Sequence, residues 1–169
     1  MNGGYKNMAR IFDTPLSSNT SDAKERLGVK RVEWSATDAC YKAYRYVQAA
    51  SDTTVANGTC LGFSDTLGQV VSSDRSDFDA NQPAGVGIGT GTASYYFWIQ
   101  TGGYHSALLT DGGNDFVDGD SVILHATSDG VCDRTATTAA PVSVALGVAV
   151  ADDVDADDTV ATFLTLDEV

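Results

Sequence analysis

The stretch GTASYYFWIQTGGYHSALL, residues 91–109, constrains the fold more than any other part of the chain. Successive side chains of a β-strand point to opposite faces, so Phe97 and Ile99 share one face while Tyr96 and Trp98 share the other. A strand with one solvated face should alternate apolar and polar residues. Both faces of this segment are bulky and apolar, so the sequence predicts a strand that is covered on both sides.

Turn residues divide most of the chain into short segments. From about residue 31 onwards, apolar runs alternate with turns such as Asn57-Gly58 and Asp129-Gly130. Strands separated by such turns at intervals of roughly 8–12 residues are typical of sandwiches and barrels. We therefore predict an all-β fold, a small antiparallel β-barrel or sandwich formed by residues 41–169. Residues 1–40 have scattered apolar side chains, too few to fold alone, and predict an extended N-terminal arm.

A faint internal repeat runs through this predicted domain. VANGTCLGFSD at 55–65 resembles VDGDSVILHATSD at 117–129, and AGVGIG at 84–89 resembles LGVAV at 146–150. Each copy is then followed by a further apolar segment. The spacing predicts that the domain contains two repeated halves.

Charge is unevenly distributed along the 169 residues, whose net charge is −13. The first 50 residues contain eight Lys or Arg and five acids, whereas the remainder contains only Arg75 and Arg134 against eighteen acids. An acidic body disfavours binding to nucleic acid or to anionic membranes, because both require cationic side chains. The basic N-terminal region suits an acidic protein surface; the acidity of the body is also explained by solubility alone.

Three cysteines, Cys40, Cys60 and Cys132, are widely spaced and form no Cys-x-x-Cys pair. The spacing predicts buried thiols in a reducing cytoplasm rather than a disulfide framework or a zinc site. The sequence shows no apolar signal core and no stretch approaching the ~20 apolar residues of a membrane span. We therefore expect assembly in a cytoplasm, without a membrane partner.

Motifs for catalysis or cofactor binding are weak. GVGIGTGTAS at 85–94 lacks the lysine of a phosphate loop and precedes a strand, and Ser64 does not lie in a Gly-x-Ser-x-Gly motif. His105 and His125 are too few for a histidine-rich metal site, although a hydrolase using either one stays open as an alternative. We expect no enzyme activity and no cofactor.

Acidic turns and aromatic side chains offer two further alternatives. The runs DGGNDFVDGD at 111–120 and ADDVDADD at 151–158 contain enough carboxylates for calcium, but neither matches a calcium-binding loop, which favours solvated turns and no metal. Exposed aromatics would instead form a sugar-stacking platform in a carbohydrate-binding module.

The middle and end of the chain contain, in order, YRYVQAASDTTVANGTCLGFSDTLGQVV, AGVGIGTGTASYYFWIQTGGYHSALL, VDGDSVIL, SDGV and ALGVAVA. In their pattern of glycines and apolar residues these segments resemble the capsid decoration, or cement, proteins of tailed bacteriophages. The resemblance covers roughly residues 44–151 and does not include residues 1–40. It implies a compact β domain, often trimeric, that binds the outer surface of the phage head in the virion. It also implies a non-catalytic protein that stabilises the head by bridging major capsid protein subunits.

This resemblance assigns roles to two groups of residues. A neighbouring subunit would cover the second face of the aromatic strand, and the basic arm would contact the shell. The predicted intersubunit residues are Tyr95, Tyr96, Trp98 and Tyr104. The predicted capsid-binding residues of the arm are Tyr5, Arg10, Ile11, Phe12, Lys24, Arg26, Lys30 and Arg31. The expected partners are therefore the major capsid protein and further copies of this chain.

Overall fold

The computed structural model of the chain describes residues 12–78, 82–112, 115–135, 144–150, 152 and 158–167. The described part is all-β, which confirms the predicted fold class; its one helical turn is a 3₁₀ turn at Arg75–Asp77. No helix in these ranges is long and apolar enough to span a membrane. The strands are β1 (Asn19–Thr20), β2 (Lys30–Ser35), β3 (Cys40–Ala49), β4 (Cys60–Phe63), β5 (Val70–Ser72), β6 (Pro83–Gly87), β7 (Tyr96–Leu109), β8 (Ser121–Leu124), β9 (Cys132–Arg134), β10 (Gly147–Ala149) and β11 (Thr159–Thr165).

Five of the strands pair in a closed ring. β3 pairs with β5, β5 with β4, β4 with β6, β6 with β7, and β7 again with β3. Alternate side chains of these strands fill the ring, among them Val47, Leu61 and Ile99, all fully buried. One pair departs from the predicted antiparallel sheet: β3 and β5 are parallel, with Gln48 opposite Val70. The reason is that β4 lies between them in the chain and runs opposite to both, so the chain reverses direction twice between β3 and β5.

The predicted repeat corresponds to two sets of four strands with the same pairing. In the first set β4 pairs with β5 and β6, and β6 pairs with β7. In the second set β8 pairs with β9 and β10, and β10 pairs with β11. The central pair β7–β11 joins the two sets, so the strand order β5-β4-β6-β7-β11-β10-β8-β9 is symmetric about it.

A second apolar cluster lies between the two halves. It contains Cys60 and Val86 from the first half together with residues of the second half such as Leu146 and Leu164. The whole is therefore sandwich-like, with a small closed ring at one end. The two faces of β7 differ as the strand period predicts: Phe97 and Ile99 lie in the ring, whereas Trp98 lies in a separate cluster with Tyr44 and Tyr46.

Candidate functional site

Residues 12–29 of the chain cover the second face of β7. The indole of Trp98 is 1% exposed. Phe12 packs edge-on against it at 5.4 Å between ring centroids, and Tyr46, opposite Trp98 across the β3–β7 pair, packs against it at 5.2 Å. The indole N–H donates a 3.0 Å hydrogen bond to Oγ1 of Thr14, and the guanidinium of Arg31 lies over the ring.

A polar network holds this covering segment in place. One carboxylate oxygen of Glu25 accepts three hydrogen bonds, from the backbone N–H of Asp13, the backbone N–H of Thr14 and the hydroxyl of Thr14. Arg31 donates to the backbone carbonyl of Thr14 at 2.8 Å and pairs with Glu33. The Glu25 bonds lie within the covering segment and fold it on itself, whereas the bonds from Arg31 and Trp98 to Thr14 connect the segment to β2 and β7.

The location of Trp98 corrects its assignment as an intersubunit anchor. The cover expected from a neighbouring subunit is supplied by the same chain, which leaves the indole almost no surface for another molecule. Tyr95 and Tyr96 are half-buried, and Tyr96 stacks on Tyr46 with ring centroids 6.4 Å apart. Tyr104 is also half-buried but lies in the second half of β7, apart from this cluster.

The predicted capsid-binding residues fall into three groups. Tyr5, Arg10 and Ile11 lie outside the described residues. Phe12 and Arg31 contribute to the cover of Trp98, as described above. The remaining three, Lys24, Arg26 and Lys30, are exposed. Among the described residues of the predicted arm, these three cations are therefore the ones exposed to solvent.

Lys30 and Arg45 share one buried carboxylate near the end of the chain. Both pair with the same oxygen of Asp167, whose side chain is largely buried. Burial raises the pKa of this carboxyl, but bonding to Lys30 and Thr101 and the charge of Arg45 outweigh it, so the net pKa is below the usual value. The cluster ties the C-terminal residues to β2 and β3.

A second aromatic feature is an exposed sheet face that the sequence did not predict. Its exposed aromatic members are Trp34 at 55%, Tyr41 at 56% and Phe163 at 43%, with the exposed Val32 and Val148 beside them. Trp34 lies opposite Tyr41 across the β2–β3 pair, and the two rings pack edge to face. Phe163 lies opposite both Tyr104 and Val148. We call these six residues the aromatic face.

The strand register shows that the aromatic face is one continuous side of the sheet. Val32 lies opposite Ala43, Ala43 opposite Gly102, and Gly102 opposite Thr165, in a row that crosses β2, β3, β7 and β11. Four further residues lie on the same side of the sheet, because each is two positions along its strand from a member of that row. They are Trp34, Tyr41, Tyr104 and Phe163. Gly103, at φ +80°, permits the close approach of β3 and β7, since a Cβ there would collide with the carbonyl oxygen of Tyr41.

Both histidines accept backbone N–H groups, and His125 also pairs with a carboxylate. His125 contacts Asp111 through Nε2 at 2.9 Å, and its Nδ1 accepts the backbone N–H groups of Thr127 and Ser128. A hydrolytic triad needs a hydroxyl or thiol at one of these positions. Burial and the nearby charge of Lys42 lower the pKa of His105 to about 4, and its Nδ1 accepts the N–H of Ala107.

The cysteines are buried or half-buried, and carboxylates of the acidic turns accept backbone N–H groups. Cys60 and Cys132 are fully buried, whereas Cys40 is half-buried, and none of the three forms a disulfide. In the acidic turns, Asp120 accepts the backbone N–H of Val117, and Asp152 that of Asp118. No group of three or more metal-ligating side chains occurs in the part of the chain that the structure describes.

Comparison with known proteins identifies no family. No protein-family model matches the chain, and no curated protein sequence is similar to it. Among solved structures, the chain is similar to the crystal structure of the head fiber gp8.5 N base in bacteriophage phi29, with 14% sequence identity and a TM-score of 0.47. The likeness covers 75% of this chain and 96% of that one. At this identity and TM-score it carries no conclusion about function.

One signal in the sequence could have indicated the aromatic face. The segment KRVEWS, now β2, alternates charged or polar residues with Val32 and Trp34, which is the pattern of a strand with one apolar side. The apolar side of a strand with this pattern is normally expected to pack against the hydrophobic core. Only the sheet order shows that β2 is an edge strand whose apolar side is not covered by any other described strand.

Proposed function

We propose that this protein is a non-enzymatic decoration protein of a tailed-phage head, which binds the outer capsid surface and bridges major capsid protein subunits. Its sequence resemblance to cement proteins supplies the partner. The observation that carries the proposal is the aromatic face, because several exposed aromatic side chains on one sheet face are typical of a protein that makes protein–protein contacts, as a protein assembled on a shell does. The resemblance further implies that the protein acts as a homotrimer.

The distribution of charge supports attachment through the N-terminal segment. Lys24 and Arg26 are exposed on the chain segment that covers Trp98. The body beyond residue 50 carries sixteen more acids than bases, so these cations are the best-placed groups for contact with an acidic shell. Because Trp98 and Phe12 hold the segment on the domain, the cations occupy a defined position rather than the end of a free arm.

The test is binding to heads of the phage that encodes the chain, assembled without it. The variant Lys24→Glu/Arg26→Glu reverses two exposed charges and should reduce co-sedimentation with heads at least tenfold. Deletion of residues 1–30 is a poor substitute, since it also removes the cover of Trp98 and Tyr46. Cryo-electron microscopy of saturated heads should place the protein on the outer surface across capsid subunits.

The matched control is Arg75→Glu/Arg134→Glu, which makes the same change in net charge within the acidic body. It should bind heads like the wild type once circular dichroism has shown that both variants are folded. Wild-type binding by Lys24→Glu/Arg26→Glu would refute attachment through this segment. A wild-type protein that binds no heads would refute the decoration role itself.

The aromatic face also favours a second candidate, a carbohydrate-binding module of a phage head or tail. Trp34 and Tyr41 are exposed and adjacent, as required for stacking on a sugar ring. The buried Trp98 does not provide such a platform. Glycan-array binding that disappears in Trp34→Ala, with an unchanged oligomeric state, would favour this candidate over the decoration role.

A further inference from the structure

The aromatic face contains most of the large apolar side chains that the described residues leave exposed. Five of its side chains are at least 40% exposed, and they lie on β2, β3, β11 and β10 of one sheet. We propose that a second copy of this chain covers it, with the β2 end of the face on one copy against the β10 end on the next. This contact goes beyond the decoration role and does not depend on it.

The composition of the face suits a protein partner rather than solvent. Aromatic side chains are enriched at the centres of protein interfaces, where they bury large areas at a small loss of conformational entropy. Trp34, Tyr41 and Phe163 are open to solvent on a protein in which the other large aromatic clusters are covered. Two sheet faces of this kind pack against each other at about 10 Å, as the layers of a sandwich do.

The charges at the two ends of the face identify the partner as another copy. At the β2 end, Lys30 and Arg45 share the single carboxylate of Asp167, which leaves a net charge of +1. Beyond the β10 end, the exposed Asp118 and Asp152 have a net charge of −2 and are linked by a hydrogen bond from the N–H of Asp118. The face thus carries complementary charges at its two ends.

This complementarity selects one arrangement of two copies. If the β2 ends of two copies met, cations would oppose cations, and the carboxylates at the β10 ends would oppose carboxylates. When the β2 end of one copy instead meets the β10 end of the next, Lys30 of the first approaches Asp118 and Asp152 of the second. In the same arrangement, Trp34 and Tyr41 of the first copy pack on Phe163 and Val148 of the second. Full overlap of two faces satisfies both ends at once and closes as a dimer, whereas overlap of the β2 half of one face with the β10 half of the next is a head-to-tail contact that can repeat around a closed ring.

Cysteine cross-linking tests this arrangement directly. In a Cys40→Ser background, which removes the one partly exposed thiol, Val32→Cys and Val148→Cys each place a thiol on an exposed position of the face. Mild oxidation of an equal mixture of the two variants should give a covalent dimer containing one chain of each. Each variant alone should remain largely monomeric on a non-reducing gel.

The matched control replaces Val32→Cys with Leu67→Cys. Leu67 is 76% exposed and does not belong to the aromatic face, so its mixture with Val148→Cys should cross-link at least tenfold less. Equal cross-linking of both mixtures would overturn the proposal, as would cross-linking of Val148→Cys to itself as the main product.

Sedimentation equilibrium of the otherwise unmodified chain provides an independent measurement. The wild type should self-associate, Phe163→Lys should weaken that association at least tenfold, and Leu67→Lys should leave it unchanged. A wild type that is monomeric at all concentrations refutes the contact. A chain that self-associates through this face but binds no heads would refute the decoration role and leave the contact standing.

The double variant Val32→Cys/Val148→Cys separates this contact from the expected trimer. Covalent products that end at three chains support both the contact and a closed ring. If the largest covalent product contains two chains, the result supports the contact but contradicts the trimer. The absence of any covalent oligomer overturns the contact.

Discussion

Replacing Thr14 with valine tests whether the chain covers its own aromatic strand. The substitution preserves the shape of the side chain but removes the hydroxyl that accepts from Trp98 and donates to Glu25. The indole N–H is then buried without a partner, which costs about 1–3 kcal/mol, and Glu25 loses one of three hydrogen bonds, worth about 1 kcal/mol. We expect the free energy of unfolding to fall by about 3 kcal/mol in total.

The assay is unfolding in guanidinium chloride followed by tryptophan fluorescence and circular dichroism. For a domain of this size, a loss of about 3 kcal/mol corresponds to a fall of about 6–12 °C in Tm. Thr14→Ser keeps the hydroxyl and should recover most of the loss. Thr20→Val is the matched control, because the hydroxyl of Thr20 bonds to the carbonyl of Asp22 at an exposed position.

The same variant should open the covering segment locally. Limited proteolysis of Thr14→Val should cut within residues 12–29 faster than in the wild type, since the polar network holds that segment on Trp98. If Thr14→Val unfolds within about 0.5 kcal/mol of the wild type, and is cut at the same rate, then the chain does not hold Trp98 in the way described.

Three further predictions concern stability. His105 has a pKa of about 4 in the folded protein against 6.5 when unfolded, so protonation in acid favours the unfolded state. Between pH 7.5 and pH 4, the free energy of unfolding of the wild type, measured by urea titration, should fall by about 3 kcal/mol more than that of His105→Asn. Parallel pH profiles of the two proteins would contradict this prediction. Gly103→Ala should lower the free energy of unfolding by at least about 2 kcal/mol because of the positive φ at this position and the collision with the carbonyl oxygen of Tyr41. Gly119→Ala, at a position with positive φ but open space around it, should lower it by about 1 kcal/mol. Equal losses in the two variants would show that the close approach of β3 and β7 at Gly103 is unimportant for stability. Asp167→Asn leaves Lys30 and Arg45 without their carboxylate and should lower Tm at pH 7. Because the folded pKa of Asp167 is below 3.8, the difference in Tm from the wild type should shrink as the pH falls below 3.8 and vanish once the pH has passed the folded pKa. A difference that persists in stronger acid would exclude the charge as its cause.

The local pattern of the sequence was sufficient to predict the fold class, the strand covered on both faces and the repeat. The alternation of apolar runs with Gly, Asn and Asp turns predicted an all-β protein, and the two-sided strand at 95–99 predicted cover on both faces. The faint repeat predicted two halves, which appear as β4–β7 and β8–β11 with the same pairing. These properties follow from side-chain period and turn chemistry, which act over a few residues.

Pairing between distant parts of the chain decided which segment covers Trp98 and which side of the sheet stays exposed. Residues 12–29 have little apolar periodicity of their own, yet Phe12 and Thr14 find partners in Trp98, more than 80 positions away. The sequence shows that the second face of β7 must be covered but not that the same chain covers it. Similarly, β2 has the pattern of a half-buried strand, and its place at the sheet edge leaves that apolar side open.

By itself, the sequence determined the fold class, the repeated halves and an acidic body with a basic beginning, because these depend on composition and on neighbouring residues. The tertiary structure alone decided which aromatic side chains are buried and which are exposed. The physical reason is that burial depends on which distant strands pair, and a side chain that is apolar by type is removed from water only where a partner strand or segment actually lies over it.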